Sequence, residues 1–456
     1  MVKKEERPFV CAILAAGQGT RMKSDTPKVL HKVCGRPMID YIVRTARNLK
    51  PARTYLIVGF KEELVRQFFG KSVHYITQSQ QLGTGHAVLQ ARDRLFGYDG
   101  DVLVLYGDVP LITEQTLLAL LKKHRETAAD ATLVTARVSD PTGFGRIIRN
   151  RSGKLSRIVE EKDATAAQKR IRDINPGIYC FKAPCLLDAL SKISTGNKQQ
   201  EYYLTDVIEI LAKEHKRLET ISTDDEIEIM QVNTRKHLAQ ANRILHDRVL
   251  ERLMNDGVTI IDARSTFISE TVKVERDVTI YPFTYIEGYT RIGEGTVIGP
   301  QTYITDSEIG RGVVVVMSYL SSCIVRDKSR IGPYTHLRPE TIIGEGVHIG
   351  NFVEVKKSLI EDDSKANHLS YIGDAKIGKG VNIGAGTITA NYDGERKSET
   401  VIEDGASIGS GTVLIAPVRV GKKAVTGAGA IVPKRHDIPP YSVFVGMPAH
   451  ELKKGE

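Results

Sequence analysis

The sequence predicts an α/β domain followed by an all-β domain, with one helix between them. Three observations predict this. Short apolar runs alternate with helical segments up to about residue 233, an apolar stripe at helical spacing covers residues 234–256, and aliphatic-glycine pairs recur from residue 257 onward. A chain of 456 residues is also too long for one ordinary core. We therefore predict an α/β domain at 1–233, a linker helix at 234–256 and a β domain at 257–456.

The composition indicates a globular protein, with 41% hydrophobic and 26% charged residues. No apolar run approaches the roughly 18 residues that cross a bilayer, so we expect no membrane segment. The short apolar run after the basic N-terminus enters a glycine loop, which favours a first strand over a secretory signal. Five cysteines without C-x-x-C spacing predict a reducing, cytoplasmic location. The net charge of +9 suits anionic small molecules, and we expect no nucleic-acid partner because no basic low-complexity run or known motif is present.

The α/β domain begins with a buried strand at residues 9–14 that enters a glycine-rich turn at residues 15–20. Glycines allow backbone N–H groups to approach an anion, and Arg21 and Lys28 follow as cations. The spacing excludes both the dinucleotide fingerprint and the P-loop. The glycines alone leave an ordinary strand-to-helix connection open, but the whole stretch predicts a phosphate-binding loop.

The next strands predict a mostly parallel sheet, because TYLIVGF precedes EELVRQFF and DVLVLYGD precedes TEQTLLALLKKH. Ligands are then expected at the carboxyl ends of the strands. Asp108 lies at such an end, where it is either a turn residue before Pro110 or a ligand of a divalent cation beside phosphates. The turn at residues 78–87 is either a capped loop or a source of amides that suit a uracil edge. Segments 143–147, 158–163 and 174–178 are interpreted as loop-like insertions between strands.

The motif L-x-x-G-x-G-T-R-M with a later P-K resembles the signature of sugar-1-phosphate nucleotidylyltransferases. Together with QQLGTGHA, GFGRI, IVEEKD, INPGI and EYYLTD in this order, it makes the domain resemble the Rossmann-like N-terminal domain of bacterial N-acetylglucosamine-1-phosphate uridylyltransferases. The resemblance implies UTP as substrate and Mg²⁺ as cofactor. It further implies that Arg21 and Lys28 are catalytic and that Asp108 and Asn233 ligate the metal.

The same resemblance implies a set of binding residues for UTP and the sugar nucleotide. They are Leu14, Ala15, Ala16, Gly17 and Lys28 at the phosphates, Gln78, Gly83 and Thr84 at the base, Tyr106, Gly107, Asp108 and Asn233 beside them, and Gly145, Glu160 and Asn175 at the sugar. One departure from the family pattern is Pro176, which stands where a small polar residue is expected after Asn175.

The linker helix is predicted from an apolar stripe that ends at N-D-G; the stripe consists of Leu238, Ala241, Leu245, Val249 and Leu253. Asn233 stands immediately before this helix. From the residues alone it is either a helix N-cap or, as the resemblance implies, a metal ligand.

The second domain is predicted to be a parallel β-helix of hexapeptide repeats. Several aliphatic-glycine pairs lie six or twelve residues apart; they begin at Ile292, Ile298, Ile309, Ile331, Ile343, Ile349, Ile372, Ile377, Ile383, Ile408 and Val420. Apparent phase breaks at residues 365–371 and 387–394 predict loops that leave the coil. His368 lies in the first of these, and the spacing leaves both a structural and a functional role open.

The segments LRP at 337–339, NFVEVKK at 351–357, HLSYIGD at 368–374 and NIGAGTITANYDG at 382–394 resemble the bacterial glucosamine-1-phosphate acetyltransferase domain, whose β-helix is left-handed. This resemblance implies His368 as general base, since an imidazole is suited to proton transfer near neutral pH. It also implies substrate and acetyl-CoA residues; they are Arg338, Lys356, Tyr371, Asn382, Asn391 and Tyr392 for the sugar phosphate, and Ala385, Ser410 and Ala428 for acetyl-CoA.

The tail departs from the family pattern, because VGMP at 445–448 replaces a late arginine that some members carry. Lys434 and Arg435 are the nearest alternative cations for the CoA phosphates. The combined resemblance implies a bifunctional enzyme that forms a homotrimer with acetyltransfer sites shared between subunits.

Two alternatives remain: a monofunctional nucleotidylyltransferase whose β-helix serves assembly, and a regulatory subunit of the translation-initiation exchange factor. The motifs HLSY and NYDG argue against the first, and the intact phosphate loop with Lys28 argues against the second.

Overall fold

The computed structural model describes residues 7–451, and the chain divides into two compact units between Leu245 and His246. The first unit is α/β, and the division falls inside its last helix. Two 3₁₀ turns come after the first strand: Thr20–Met22 begins at the end of the glycine-rich turn, and Lys28–Leu30 follows it. The helices are α1 (Met38–Asn48), α2 (Glu62–Phe69), α3 (Thr84–Leu89), α4 (Arg92–Leu95), α5 (Glu114–Glu126), α6 (Ala166–Lys169), α7 (Ala183–Leu190), α8 (Asp206–Lys213) and α9 (Arg235–Asn255).

The strands of the first unit form one large sheet and a small hairpin of β2 with β3. Their bounds are β1 (Phe9–Ala15), β2 (Lys32–Val33), β3 (Arg36–Pro37), β4 (Arg53–Val58), β5 (His74–Thr77), β6 (Asp101–Tyr106), β7 (Ala131–Arg137), β8 (Gly145–Arg149), β9 (Leu155–Val159), β10 (Asp173–Asn175), β11 (Tyr179–Lys182) and β12 (Leu218–Thr223). The order in the large sheet is β5-β4-β1-β6-β11-β7-β10-β8-β9, and β12 pairs with β7.

The predicted parallel part of the sheet consists of β5, β4, β1 and β6, which pair in parallel. Its central strand β1 is almost fully buried, as its unbroken apolar run predicts. The carboxyl ends of β1 and β6 lie side by side, because Leu14 pairs with Tyr106. The residues that follow both strands therefore meet at one edge of the sheet.

The interpretation of segments 143–147, 158–163 and 174–178 as loop-like insertions is only partly correct, because residues 145–147, 158–159 and 174–175 belong to strands. Residues 145–149, 155–159 and 173–175 are the strands β8, β9 and β10, which pair antiparallel with one another and with β7. Strand β11 is also antiparallel to both of its neighbours. These strands are short and half polar, so their sequence alone does not distinguish them from loops.

The second unit is a parallel β-helix with three faces, and the stacked strands of each face form one sheet. Face A consists of Thr259–Ile260, Thr279–Ile280, Val297–Ile298, Val314–Val315, Arg330–Ile331, His348–Asn351, Lys365–His368, Asn382–Ile383, Ser407–Ile408, Val425–Thr426, Val443–Val445 and the antiparallel His450–Glu451. Face B consists of Phe267–Ile268, Tyr285–Glu287, Tyr303–Thr305, Tyr319–Ser321, His336–Leu337, Glu354–Lys356, Tyr371–Gly373, Ile388–Ala390, Val413–Ile415 and Ile431–Val432. Face C consists of Lys273–Val274, Arg291–Ile292, Glu308–Ile309, Ile324–Val325, Ile342–Ile343, Leu359–Ile360, Ala375–Ile377, Thr400–Ile402 and Val418–Val420.

The aliphatic residues of the repeat point inward and stack on one another in successive coils. On face A, Ile298, Val315, Ile331 and Ile349 are each at most 1% exposed and pair in register. Burial of one such side chain stabilises a fold by about 1.5–3 kcal/mol. Repetition of this contact along the coil accounts for the regularity of the domain.

The apparent phase break at residues 365–371 is not an insertion. Lys365 pairs with His348, and Tyr371 pairs with Glu354, so the coil is regular and His368 ends a face A strand. The sequence suggested a break because the two aliphatic residues on either side of it belong to different faces. Ile349 lies on face A, whereas Ile372 lies on face B. At the second break the strand Ile388–Ala390 is also part of the coil, and the excursion begins after it, where Tyr392 bridges Lys397.

Two further expectations concern the whole chain. Among the described residues no helix is long and apolar enough to cross a membrane. All five cysteines lie within residues 7–451, and none of them forms a disulfide bond.

Candidate functional sites

A cavity of about 330 Å³ opens at the sheet edge where β1 and β6 end. It brings together most of the residues that the sequence singled out in the first domain. Those that line it are Leu14, Ala15, Ala16, Gly17, Arg21, Lys28, Gln78, Gly83, Thr84, Tyr106, Asp108 and Asn233. Gly107 stands behind this wall, where its N–H donates to the carbonyl of Leu14 and holds the two strand ends together.

The glycine loop wraps closely around Lys28. Gly19 has a φ of +69°, and a Cβ atom there would lie 2.5 Å from Cβ of Lys28. Glycine is therefore required for both conformation and space. Gly17 differs, because an added Cβ would have no atom within 4 Å. The loop thus leaves open space at Gly17 and packs against Lys28 at Gly19.

Lys28 lies between two oxygens that sequence analysis assigned to a metal. Its Nζ donates to Asp108 Oδ2 at 2.5 Å and to Asn233 Oδ1 at 2.9 Å. The second carboxylate oxygen of Asp108 is buried and accepts no hydrogen bond. An ammonium group bridging a carboxylate and an amide oxygen, with one more oxygen unused, is the environment that a hard divalent cation also requires. The residues therefore fit Mg²⁺.

The alternative role of Asn233 as helix N-cap is wrong. The side chain of Thr234 accepts from the backbone N–H of His237, and its carbonyl accepts from Leu238, so Thr234 caps α9. The side chain of Asn233 is consequently available to the cavity, where its Nδ2 donates to Gln231 Oε1.

The loop before α3 forms the opposite wall of this cavity. Gln78 is 3% exposed, and its Nε2 donates to the carbonyl of Gly83. Gly83 has a φ of +108°, and an added Cβ would lie 2.5 Å from the carbonyl oxygen of Tyr202. The hydroxyl of Thr84 accepts from the N–H of Leu204. These contacts fix the loop against residues 202–204 and hold Gln78 and Thr84 at the cavity.

Gly145, Glu160 and Asn175 do not line the cavity but form a group of their own. Asn175 pairs with Gly145 across β10 and β8, and an added Cβ at Gly145 would lie 3.6 Å from the Glu160 carboxylate. Asn175 is fixed at both ends, because Oδ1 accepts from Gly177 and Nδ2 donates to the Tyr179 hydroxyl. Pro176 therefore leaves the side chain of Asn175 well ordered.

The charge and polarity of this group are set by burial. Burial raises the pKa of Glu160, although a hydrogen bond from Thr205 opposes the shift. Burial also raises the pKa of Tyr106 well above its usual range, and Glu160 adds to that shift. Tyr106 connects the group to the cavity, because it lines the cavity and packs against Gly177. The arrangement places the Glu160 carboxyl and the Tyr106 hydroxyl beside the cavity.

Some cavity residues received no role from the sequence. They are Val29, Gln81, Ala87, Gly143, Glu201 and Gln231. Gln231 lies two positions before Asn233, and its contact with Asn233 Nδ2 appears only once the chain is folded.

The second group of predicted residues surrounds His368 in the β-helix. Nδ1 of His368 lies 2.9 Å from the amide oxygen of Asn351, which stands directly opposite in the preceding coil. Because an amide oxygen only accepts, Nδ1 carries the proton and Nε2 retains its lone pair. His368 is exposed, so Nε2 is available to take a proton from a ligand.

Three cations converge near the end of the face B strands. Arg338 and Lys356 occupy equivalent positions in successive coils, and Arg338 forms an ion pair with Glu354 at 2.8 Å. Lys397 reaches the same place from the excursion, where contact with Lys356 lowers the pKa of Lys397. Neighbouring like charges of this kind suit an anion such as a phosphate. Sequence analysis did not assign Lys397, because its distance along the chain hides its contact with Lys356.

The excursion is anchored by Asn391, which is buried and donates from Nδ2 to Asp374. Tyr392 is 60% exposed, and its hydroxyl donates to the carbonyl of Gly394. Tyr371 begins the face B strand that follows His368, so these two residues share the corner between faces A and B. Asn382 is exposed on face A of the next coil, three residues before the position equivalent to His368. Within one chain it therefore lies on a different face from the cations near the end of the face B strands.

Ala385, Ser410 and Ala428 continue the position of His368 through the next three coils. The N–H of Gly411 donates to Ala385 and that of Gly429 donates to Ser410, which keeps the column in register. The position one residue after this column also recurs in each coil and has a positive φ throughout. It is occupied by Tyr334, Phe352 and Leu369 in the coils up to that of His368, and by Gly386, Gly411 and Gly429 in the three coils that follow. Beyond His368 this position therefore carries no side chain.

Lys434, one of the two cations predicted for the CoA phosphates, contacts the excursion instead. Lys434 forms an ion pair with Asp393 at 2.9 Å and so holds the excursion. It follows the face B strand Ile431–Val432, away from the column of Ala428. Within one chain, the ion pair therefore commits Lys434 to the excursion.

Comparison with known proteins covers both units. The family model "Nucleotidyl transferase" matches residues 11–256, and "Bacterial transferase hexapeptide (six repeats)" matches residues 271–306 and 322–357. A relative named Bifunctional protein GlmU, from Carboxydothermus hydrogenoformans, is 49% identical over 95% of this chain and 96% of its own length. The chain belongs to the GlmU family.

Other GlmU proteins agree with this assignment. Those of Syntrophomonas wolfei and Thermotoga maritima are each 46% identical, over 95% and 97% of this chain and 96% and 97% of their own lengths. The family resemblance and the fold class predicted from the sequence are thereby confirmed, including the left-handed β-helix of hexapeptide repeats. The predicted roles of individual residues remain predictions.

Proposed function

We propose that this GlmU-family protein is a bifunctional enzyme of UDP-N-acetylglucosamine synthesis. Its β-helix transfers an acetyl group from acetyl-CoA to glucosamine 1-phosphate. Its α/β unit then transfers a uridylyl group from UTP to N-acetylglucosamine 1-phosphate and releases pyrophosphate. The observation that carries the proposal is the 49% identity to a bifunctional relative over 95% of the chain, which includes both candidate sites.

In uridylyl transfer, a phosphate oxygen of the sugar attacks the α-phosphorus of UTP, and the bond to pyrophosphate breaks. Arg21 and Lys28 line the cavity and neutralise the charge that develops on the phosphates. Gln78, Gly83 and Thr84 hold the base, and Gly145, Glu160 and Asn175 hold the sugar. Asp108 and Asn233 would hold Mg²⁺, which supplies charge neutralisation at phosphate oxygens when bound.

In acetyl transfer, the glucosamine ammonium first loses a proton to Nε2 of His368. The free amine attacks the thioester carbonyl, the new C–N bond forms, and the C–S bond breaks to release CoA. The Asn351 contact holds the ring with Nε2 available. Arg338, Lys356 and Lys397 bind the sugar phosphate, Tyr371, Asn382, Asn391 and Tyr392 position the sugar, and Ala385, Ser410 and Ala428 line the path of acetyl-CoA.

We also propose a cytoplasmic homotrimer in which each acetyltransfer site is shared between subunits. The lack of disulfide bonds among the five cysteines supports a reducing compartment. Asn382 stands apart from the cations of face B within one chain, which supports completion of the site by a neighbouring subunit.

The decisive experiment is release of CoA from acetyl-CoA by the purified protein with glucosamine 1-phosphate and without UTP. Prompt release is expected, and pyrophosphate release from UTP with N-acetylglucosamine 1-phosphate and Mg²⁺ tests the other half. A folded trimer that releases pyrophosphate but no CoA would leave the β-helix as an assembly module only.

His368→Ala is expected to lower the kcat of acetyl transfer by about 10²–10⁴-fold, the usual contribution of a general base, and to leave uridylyl transfer intact. His348→Ala is the matched control, because His348 lies on face A in the preceding coil and has no role in the proposed mechanism. Both activities are measured on each variant. Loss of both activities in His368→Ala would instead indicate a structural role.

A further inference from the structure

A second polar cluster lies at the opposite end of strand β6 from the nucleotide cavity. Asp101 is the first residue of β6, His124 comes from α5, and Cys180 comes from β11. A carboxylate oxygen of Asp101, a ring nitrogen of His124 and Sγ of Cys180 lie within 4.8 Å of one another. The three residues are at most 2% exposed, and the proposed mechanism uses none of them.

Three polar atoms of this cluster lack a hydrogen bond. Both carboxylate oxygens of Asp101 and Nε2 of His124 are buried and make no hydrogen bond. Nε2 lies 3.5 Å from Asp101 Oδ1, which is too far for a strong hydrogen bond. Buried polar groups without hydrogen bonds are destabilising, and more so when they are charged, so these three atoms are suited to contact a further ligand.

The gap between these atoms has the size that a tetrahedral metal produces. Metal bonds of about 2.0–2.1 Å to nitrogen and oxygen separate the two ligand atoms by roughly 3.4 Å. The other ring nitrogen of His124 is oriented by Thr132, since Nδ1 lies 2.9 Å from the Thr132 hydroxyl. Such a contact behind the histidine is typical of metal sites, where it fixes the ring and the tautomer.

We propose that Asp101, His124 and Cys180 bind a single Zn²⁺ ion. A thiolate, an imidazole and a carboxylate are the donors that zinc accepts, whereas Mg²⁺ prefers oxygen ligands alone. Binding replaces the thiol proton of Cys180, which is released to solvent. The thiolate and the carboxylate together balance the charge of the ion.

The surroundings of the cluster include two cations and a cavity. Arg7 and Arg125 lie 3.6 and 3.9 Å from the oxygens of Asp101, and they form ion pairs with this carboxylate when no metal is bound. A cavity of about 740 Å³ borders Asp101 and His124 and leaves room for a fourth ligand from solvent.

Co²⁺ titration of the metal-free full-length protein tests the site directly, because only cysteine ligation gives a thiolate-to-cobalt charge-transfer band. We expect one equivalent of Co²⁺ to produce this band, with release of about one proton per chain, and Zn²⁺ to abolish it by competition. A Co²⁺ spectrum without a thiolate band at one equivalent overturns the proposal, and this measurement requires no variant.

Variants then locate the site. Cys180→Ser is expected to lose the band, whereas Cys185→Ser is the matched control and retains it, because Cys185 contacts Asp130 instead. Thr132→Val preserves the shape of the side chain and removes the contact with His124, so it should weaken metal affinity by roughly 10–100-fold without disturbing the fold. A band that survives Cys180→Ser, or an affinity unchanged in Thr132→Val, would contradict the assignment.

Discussion

At the scale of single residues, the shape of the cavity at the carboxyl ends of β1 and β6 depends on how closely the backbone packs around Lys28. Gly19 and Gly153 both have positive φ, +69° and +75°, but they differ in their surroundings. An added Cβ at Gly19 collides with Lys28, whereas one at Gly153 has no atom within 4 Å. Alanine substitutions at these two glycines therefore separate the stability cost of backbone strain from the effect of displacing Lys28.

We expect Gly19→Ala and Gly153→Ala each to lose roughly 1–2 kcal/mol of stability, since both place alanine in the left-handed region. Only Gly19→Ala should also lower uridylyl transfer, by about 10²-fold, because a displacement of about 1 Å at a positioning group has that effect. Urea unfolding and pyrophosphate release are measured on both variants. Equal activities in the two would show that the contact with Lys28 has no catalytic consequence.

The residue scale also shows where sequence interpretation ends. The phosphate loop, Lys28 and Asp108 were predictable because a buried strand leads directly into them. Lys397 was not, since it depends on an excursion that folds back onto Lys356. The choice between two roles for Asn233 likewise required the observed cap at Thr234.

At the scale of elements, helix α8 begins with a carboxylate in an unfavourable environment. Burial, together with Glu209 and Asp163, raises the pKa of Asp206 to about 6. Between about pH 4, the ordinary value for aspartate, and pH 6, the folded protein keeps a proton that the unfolded chain has released. The stabilising contribution of this group is therefore complete below about pH 4 and is lost as the pH rises through 6.

Asp206→Asn removes this dependence, so the variant should gain stability relative to the native protein when the pH is raised from 4 to 7.5. Asp140→Asn is the control, because hydrogen bonds from Thr142 hold the pKa of Asp140 below its usual range, and its effect on stability therefore changes only below about pH 4, outside the interval tested. Urea unfolding of all three proteins at both pH values measures the difference. A gap between native protein and Asp206→Asn that does not change with pH would refute the expectation.

Prediction of elements succeeded where one period dominates the sequence and failed where two faces alternate. In the predicted stripe of α9, Ala241, Leu245, Val249 and Leu253 are buried as expected, whereas Leu238 is only partly buried. Residues 365–371 were misinterpreted because adjacent aliphatic residues of the coil belong to different faces. Strands β8 to β10 were missed since they carry few apolar residues.

At the scale of the whole molecule, the β-helix carries a large exposed apolar surface. Phe283, Tyr334, Phe352 and Leu369 at the corner between faces A and B are each 55–62% exposed. Beside them runs an aromatic ladder on face B, in which neighbouring rings lie 4.6–6.4 Å apart; its members are Phe267, Tyr285, Tyr303, Tyr319 and His336. Surfaces of this kind mark contacts with other proteins, and here they support the proposed homotrimer.

Phe352→Glu should therefore dissociate the trimer, since loss of one buried aromatic anchor costs about 2 kcal/mol or more at an interface. Sedimentation velocity is expected to show monomers that have lost acetyl transfer and retain uridylyl transfer. Tyr441→Glu is the control, because Tyr441 is 69% exposed but lies away from this corner. A trimeric Phe352→Glu protein would place the subunit interface elsewhere.

The column from His368 to Ala428 advances by the same distance in every coil. Steps between its members are 17, 25 and 18 residues along the chain, yet each advances by one strand spacing of about 4.8 Å. The extra residues of the long step leave the coil as the excursion and do not lengthen the column. The reach of an extended ligand is therefore set by the number of coils, and a loop can grow or shrink without altering that length.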